Sequence, residues 1–280
     1  SVEQLHFYVD PGQGGQIAEG QFAFVALAPV TPAIENSFTH VTGSLVSDTL
    51  DLAALYPSAG GSVSINANGD QGNDTISGHD GPNAIWGDAG NDTLMGGGGN
   101  DFLDGGTGFD RIAYVLPASL PGSLQLTQGA GSQVLVQRMV NGASVETLFE
   151  IVPHGPGAGT ITGLGSAASF GVDTIVNAEN LGFRIGNQQE AGVLMQPLVI
   201  QFPGGSHGVL GSLYGDVIDL GNYSGEEIAV GVFGDDTLIG NANANSLYGG
   251  GGNDSMEGKG GDDTIDGADG FDTARFVLPS

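Results

Sequence analysis

Apolar residues recur along two stretches of the chain with a period of nine. From Gly69 the sequence reads GDQGNDTIS, GHDGPNAIW, GDAGNDTLM, GGGGNDFLD and GGTGFDRIA, ending at Ala113. From Gly231 it reads GVFGDDTLI, GNANANSLY, GGGGNDSME, GKGGDDTID and GADGFDTAR, ending at Arg275. The eighth position is apolar in all ten units: Ile76, Ile85, Leu94, Leu103, Ile112, Leu238, Leu247, Met256, Ile265 and Ala274. The sixth is Asp in eight and Asn in two, the first is always Gly, and the fourth is Gly in nine. Six turn-forming residues followed by three strand-forming ones do not match the three-to-four-residue return of an amphipathic helix. They fit one side of a flattened coil of parallel strands. Gly at positions 1 and 4 is expected to supply the positive φ of a tight turn. A degenerate unit, NYSGEEIAV at Asn222 to Val230, precedes the second block.

The flanking sequence alternates like β-structure. Val134-Leu135-Val136 and Val145 to Ile151 bracket Asn141-Gly142, a two-residue hairpin turn. Phe22 to Leu27 and Leu198 to Phe202 are further strands, and no segment has a sustained helical period. A longer repeat also exists. GFDRIAYVLP at Gly108 aligns with GFDTARFVLP at Gly270, VTGSLVSDTLDL at Val41 with VLGSLYGDVIDL at Val209, and EQLHF at Glu3 with ENLGF at Glu179. Residues 1–117 thus recur as roughly 177–280, which reads as a piece of a tandem array. The expected architecture is all-β and elongated: a β-rich lead-in over 1–59, a parallel β-roll over 60–117, a sandwich-like or hairpin segment over 118–221, and a second roll over 222–280.

Composition sharpens this picture. Of 280 residues, 52 are Gly, and 32 Asp and Glu face 5 Lys and Arg, for a net charge of −27. So few cations cannot neutralise a run of phosphates, which argues against nucleic acid and against an anionic membrane surface. The chain has no cysteine, hence no disulfide framework or thiolate zinc site. Its longest apolar run, Gly192 to Phe202, is too short to span a bilayer.

One large apolar side chain in nine residues gives little burial to set against the entropy of ordering nine backbones. The position-6 carboxylates would also stack and repel. A divalent cation between turns answers both problems, because its binding energy becomes folding energy. Carboxylates and carbonyls are hard oxygen donors suited to Ca²⁺. Zinc would want His or Cys, and His6, His40, His79, His154 and His207 share no ligand spacing. Magnesium prefers a smaller octahedron and is second choice.

The units resemble the RTX, or hemolysin-type, nonapeptide G-G-x-G-x-D-x-U-x, in which U is a large apolar residue; the likeness covers the ninety residues of the ten units. The resemblance implies a right-handed calcium-binding β-roll, export from a Gram-negative bacterium by type I secretion, and folding when calcium is met outside the cell. It also implies that each calcium sits between units n and n+2. There it takes both position-6 side chains, carbonyls 2 and 4 of the first unit, and carbonyls 1 and 3 of the second. Carried over, this pairs Asp74 with Asp92, Asn83 with Asp101, Asp92 with Asp110, Asp236 with Asp254, Asn245 with Asp263, and Asp254 with Asp272. The carbonyl candidates are Gly72, Gly81, Gly87, Ala89, Gly90, Gly96, Gly98, Gly105 and Thr107 in the first block. In the second they are Gly234, Asn243, Gly249, Gly251, Gly252, Gly258, Gly260, Gly267 and Asp269. About six calcium ions result from these pairs, and Glu227 with Asn245 is a seventh candidate. A neutral amide is a weaker ligand than a carboxylate, so the sites with Asn83 and Asn245 are expected to be weakest. GVDTIVNAENLGF at Gly171 resembles the connector found before RTX blocks.

No catalytic motif accompanies the repeats. No His is followed by Glu, so H-E-x-x-H is absent. Gly204-Gly205-Ser206-His207-Gly208 has the letters of a nucleophile elbow but leads toward a β-roll, and is read as a polar turn. Asp10-Pro11 is read as a turn rather than an autocleavage site. Asn73-Asp74-Thr75 and Asn91-Asp92-Thr93 match glycosylation acceptors but lie in the calcium loops. The position-7 residues are too irregular for an ice-binding rank. The expected function is a non-enzymatic, calcium-binding structural module of a large secreted or cell-surface protein, of adhesin, surface-layer or matrix type. The alternatives are a polysaccharide-binding accessory module, with Tyr114, Phe276, Trp86 and Tyr248 stacking on sugars, or the tail of a secreted enzyme. Expected partners are calcium and then neighbouring copies of the module or cell-surface polysaccharide.

Overall fold

The computed structural model describes residues 39–43, 45–57, 61–130, 133–201, 207–222 and 227–276. The strand expected at Phe22 to Leu27, the Asp10-Pro11 turn and Ser206 lie outside these residues.

The fold is all-β. Strands of three or four residues alternate between two facing sheets, because each nonapeptide turns the chain over once. Thr49–Asp51, Thr75–Ser77, Thr93–Met95, Arg111–Leu116 and Asn180–Ile185 stack in parallel on one face. Thr39–Thr42, Ile65–Asn68, Asn83–Trp86, Phe102–Asp104 and Val172–Val176 stack on the other. The register aligns Ile76 with Leu94 and Leu94 with Ile112 on one face, and Ile85 with Leu103 on the other. All five side chains are fully buried. The two apolar columns therefore form the whole interior of a roll only two side chains thick, which is why position 8 is always apolar.

The second roll repeats the plan. Val217–Asp219, Thr237–Ile239, Ser255–Glu257 and Thr273–Ala274 form one face; His207–Leu210, Glu227–Phe233, Asn245–Gly251 and Thr264–Asp269 form the other. Its core is Ile218, Leu220, Ala229, Leu238, Leu247 and Met256, with Ile265 partly buried. Leu198–Gln201 pairs antiparallel with the outermost strand.

Between the rolls, Ser123–Gln128, Val134–Val140, Ala143–Gly155 and Ala158–Gly163 run as an antiparallel meander. Asn141 (φ 52°) and Gly142 (φ 77°) make the expected tight turn. The meander continues the first roll's sheet through Val172–Val176 rather than building a separate sandwich. Parallel stacking also runs past the edges set by the nonapeptides: it starts at Thr39 in the first roll and at His207 in the second. An aromatic cluster closes the end of the first roll. Tyr114 stacks on Phe183 with ring centroids 5.2 Å apart, Phe170 packs edge-on and Phe149 tilted against it, and the Tyr114 hydroxyl donates to Asp173 Oδ2 at 2.7 Å. The second roll is seated on this assembly: the N–H of Leu213 donates to Leu194 O at 3.0 Å, and the Tyr214 hydroxyl donates to Ala158 O. Among the described residues no helix is long and apolar enough to cross a membrane.

With so thin an interior, each rung's apolar residue is hard to replace. Leu94→Ala is expected to destabilise the calcium-loaded protein by about 2–5 kcal/mol. Val217→Ala, at a side chain 75% exposed, should change stability by no more than about 0.5 kcal/mol. Urea unfolding followed by circular dichroism measures both.

Candidate metal centre

Strand stacking brings the position-6 side chains into columns. The N–H of Asp74 donates to Asp92 Oδ1 at 2.7 Å, and the N–H of Asp92 to Asp110 Oδ1 at 2.8 Å. Asn83 donates to Asp101 Oδ1 at 2.8 Å, Asp236 to Asp254 at 2.8 Å, Asp254 to Asp272 at 3.0 Å, and Asn245 to Asp263 at 3.0 Å. Every pair drawn from the sequence is thus adjacent in a column. One carboxylate oxygen of each rung is taken by this ladder. The other is not: Oδ2 of Asp74, Asp92, Asp101, Asp110, Asp236 and Asp254 is buried with no hydrogen-bond partner. Buried polar atoms are almost always paired, so six orphans of one kind in register point to a missing ligand.

The surroundings of these oxygens define what would fit. Among the described residues no three His, Asp or Glu side chains converge, so the remaining donors are backbone carbonyls. The carbonyls of Gly87, Gly105, Gly249 and Gly267 line the cradles of Asp74, Asp92, Asp236 and Asp254 respectively, and that of Gly96 borders Asn83 and that of Gly258 borders Asn245. Those of Ala89, Thr107, Gly251 and Asp269 accept the N–H groups of Gly72, Gly90, Gly234 and Gly252, which leaves each a second lone pair. Carboxylate and carbonyl oxygens together are a hard donor set that suits Ca²⁺.

The glycines at position 1 owe their identity to this cradle. None of them has positive φ, contrary to the turn requirement expected from the sequence. A Cβ on Gly87 would overlap Asp92 Oδ2 and Gly105 O, and the same collision recurs at Gly69, Gly231 and Gly249. Position 4 does follow the conformational argument: Gly72, Gly90, Gly108, Gly234, Gly252 and Gly270 all have positive φ. The position-4 carbonyls of Gly72, Gly90, Gly234 and Gly252 pack against the position-4 glycine two units on.

Burial of like charges along these columns shifts proton affinity. Burial pushes Asp101 and Asp236 up to about 8, and Asp74 and Asp110 up to about 6; neighbouring carboxylates add to the shift, and the ladder N–H bonds oppose it. Asp92 and Asp254 are raised by the same causes.

The comparison with known families agrees with this geometry. The family described as RTX calcium-binding nonapeptide repeat (4 copies) matches residues 68–103, 78–112, 223–256, 230–265 and 239–274. The chain carries RTX calcium-binding nonapeptide repeats. No match to a curated protein was found.

The RTX columns are longer than the recognisable repeats. The N–H of Asp48 donates to Asp74 Oδ1, that of Asp101 to Asp173 Oδ1, that of Asp110 to Glu179 Oε2, and that of Asp216 to Asp236 Oδ1. Gly43 to Asp51 and Gly211 to Asp219 are therefore further units, each with Gly first, Asp sixth and an apolar residue eighth. That half-pattern, Gly-x₄-Asp-x-apolar, was the available signal. Asp173 and Glu179 belong to the connector and are only six residues apart; the longer Glu side chain reaches the ladder from a shortened turn.

The turns also divide into two kinds. In the eight RTX units with Asp at position 6, positions 2 and 4 are both left-handed, even where position 2 is Asp70, Asp88, Val232, Lys259 or Ala268. In the two Asn units neither position is: His79, Gly81, Asn241 and Asn243 are absent from that conformation. There the position-2 N–H folds onto the amide instead. His79 donates to Asn83 Oδ1 at 3.0 Å, Asn241 donates to Asn245 Oδ1 at 2.7 Å, and Asn83 Nδ2 donates to Ile65 O at 2.7 Å. Gly98 and Gly260 donate to the carbonyls of His79 and Asn241 across these closed turns. Asp216 is closed likewise, by the N–H of Ser212 at 2.6 Å.

Two outcomes follow from the cradle. Gly87→Ala should lower calcium stoichiometry by isothermal titration and raise the calcium concentration needed for folding. Gly260→Ala, whose Cβ would find its nearest neighbour at 3.7 Å, should leave both unchanged. The second outcome concerns pH. A carboxyl whose folded pKa is raised stabilises the fold below its unfolded value near 4 and loses that contribution as pH rises through the folded value. Chelated protein should therefore hold most β-structure near pH 4 and lose it progressively up to about pH 8, with calcium abolishing the loss; circular dichroism across that range reads it.

Proposed function

We propose that this RTX chain is a non-catalytic, calcium-folded structural module of a large secreted or cell-surface protein, of adhesin, surface-layer or matrix type. The observation that carries the reading is the set of six buried, unpartnered Asp Oδ2 atoms, four of them in cradles lined by a carbonyl of the next coil. Asp74 with Asp92, Asp92 with Asp110, Asp236 with Asp254, and Asp254 with Asp272 would hold calcium, which would supply the counter-charge these columns lack. Asn83 with Asp101 and Asn245 with Asp263 form the two weakest sites, because their amides already hold backbone partners. The total is about six ions. Without them the columns of acids repel, so the chain stays unfolded where calcium is scarce, as type I export requires, and folds where calcium reaches about 0.1–1 mM, the range of extracellular calcium modules.

The aromatic residues do not favour the polysaccharide reading. Tyr114 is sealed in the aromatic cluster, and Trp86 packs on Phe102 with centroids 6.0 Å apart. Only Tyr248 and Phe276 of the four are exposed, and they sit on different faces of the second roll.

The test is a calcium titration of chelated protein followed by circular dichroism. The expected result is a cooperative gain of β signal with about four tight and two weaker ions bound. Unchanged β signal and thermal stability after exhaustive chelation would overturn the proposal.

A further inference from the structure

The pairs within the repeats account for only four of the six unpartnered aspartate oxygens. Oδ2 of Asp74, Asp92, Asp236 and Asp254 each shares its cradle with the position-1 carbonyl of the next rung in its column. Asp101 and Asp110 are the last nonapeptide aspartates of the first roll's two columns. The next rung beyond each belongs to the connector, which supplies Asp173 above Asp101 and Glu179 above Asp110.

These two ends are built differently. Asp173 spends Oδ1 on the N–H of Asp101 and Oδ2 on the Tyr114 hydroxyl, inside the aromatic cluster. The nearest atoms to a Cβ on Gly96, the position-1 glycine of that unit, all belong to Asp101, with no carbonyl among them. At Asp110 the cradle is whole. A Cβ on Gly105 would meet Asp110 Oδ2 and Asn177 O, as one on Gly69 meets Asp74 Oδ2 and Gly87 O. Val176 O accepts the N–H of Gly105 at 3.1 Å, just as Asp104 O accepts that of Gly87 at 2.8 Å, so Asn177 holds position 1 of the connector's rung. Glu179 holds its position 6: Oε2 accepts the N–H of Asp110 at 2.6 Å and Oε1 the Gln196 amide at 2.6 Å, which leaves each oxygen a further lone pair. Asp110 is fully buried with Oδ2 unpartnered, and among the described residues neither it nor Glu179 makes an ion pair.

We propose that Asp110, the Asn177 carbonyl and Glu179 form a further calcium site, contributed partly by the last nonapeptide and partly by the connector. Two carboxylates and a carbonyl are a hard donor set carrying two negative charges. The connector passes from position 1 to position 6 in three residues, Asn177 to Glu179, where a nonapeptide uses six. It therefore brings fewer carbonyls, and water completes the roughly six to eight oxygens that calcium takes. The inference rests on the calcium reading of the repeats and adds a link that leads out of them. Glu179 O accepts the N–H of Met195 at 2.8 Å, and the strand that follows Glu179 lays the buried Leu181, Phe183 and Ile185 on Arg111–Leu116. An ion at Glu179 thus extends the calcium requirement from the roll to the non-repetitive hairpin that covers it.

Glu179→Gln tests the site, because it keeps the side chain's size and an acceptor for Asp110 while removing a charge. Native mass spectrometry in graded calcium should show this variant saturating one ion short of the wild type. Hydrogen exchange in calcium should be about tenfold faster over Asn180–Ile185, with Thr93–Met95 unchanged. Glu190→Gln, on the same connector but paired with Arg111, should lose no ion. Equal ion counts in the wild type and Glu179→Gln, or equal loss in both variants, overturn the proposal. If Glu179→Gln does not fold, the wild type decides: anomalous scattering from a calcium-loaded crystal should place an ion about 2.3–2.6 Å from Asp110 Oδ2 and Asn177 O. An ion between Asp92 and Asp110 with none at Glu179 overturns this site and leaves the reading of the repeats standing. A wild type that takes up no calcium at all overturns both.

Discussion

A column of buried carboxylates, one per coil, is the constraint on which the rest of this structure depends. Parallel stacking sets adjacent rungs about 4.8 Å apart, close enough for like charges to repel strongly once water is excluded. Each rung hands one oxygen to the N–H of the rung before it. The other is left facing inward among carbonyls. A cation placed there reverses the sign of the interaction, so what opposes folding in its absence drives folding in its presence. Other sequence rules accompany this one: position 1 must be Gly to leave the space, positions 2 and 4 turn left-handed in the Asp units, and position 8 supplies the apolar columns of the interior.

The same backbone tolerates a second kind of turn. Where Asn83, Asn245 and Asp216 stand, the turn's own N–H closes onto the side chain. The two Asn rungs bring no charge of their own, and all three turns are closed by local hydrogen bonding. Each roll thus combines rungs that close by themselves with rungs that wait for metal. That mixture couples folding to calcium without making every turn depend on it.

The ends of the rolls matter as much as their middles. A stack of identical rungs has no intrinsic stop, and its last rung presents an unpaired edge and an uncovered core. In the first roll the connector solves this with Asp173, Glu179, and an aromatic cluster built on Tyr114 and Phe183. The second roll carries the corresponding segment, Gly270 to Phe276, with no such cover among the described residues.

By itself the sequence determined the all-β class, the nine-residue period, the Asn141-Gly142 hairpin and the position-6 acids, because each is a local regularity at fixed spacing. Only the tertiary structure decided the rest. Asp48 joins the column across a separation of 26 residues where regular rungs are 18 apart, and Asp173 and Glu179 join from some seventy residues away. Contiguous periodicity cannot register such rungs. The reason for glycine at position 1 also lay beyond the sequence, since a Cβ there would meet atoms of a neighbouring coil rather than its own backbone. Spacing along the chain fixes which residues form a rung; what the rung encloses is settled by the rung above it.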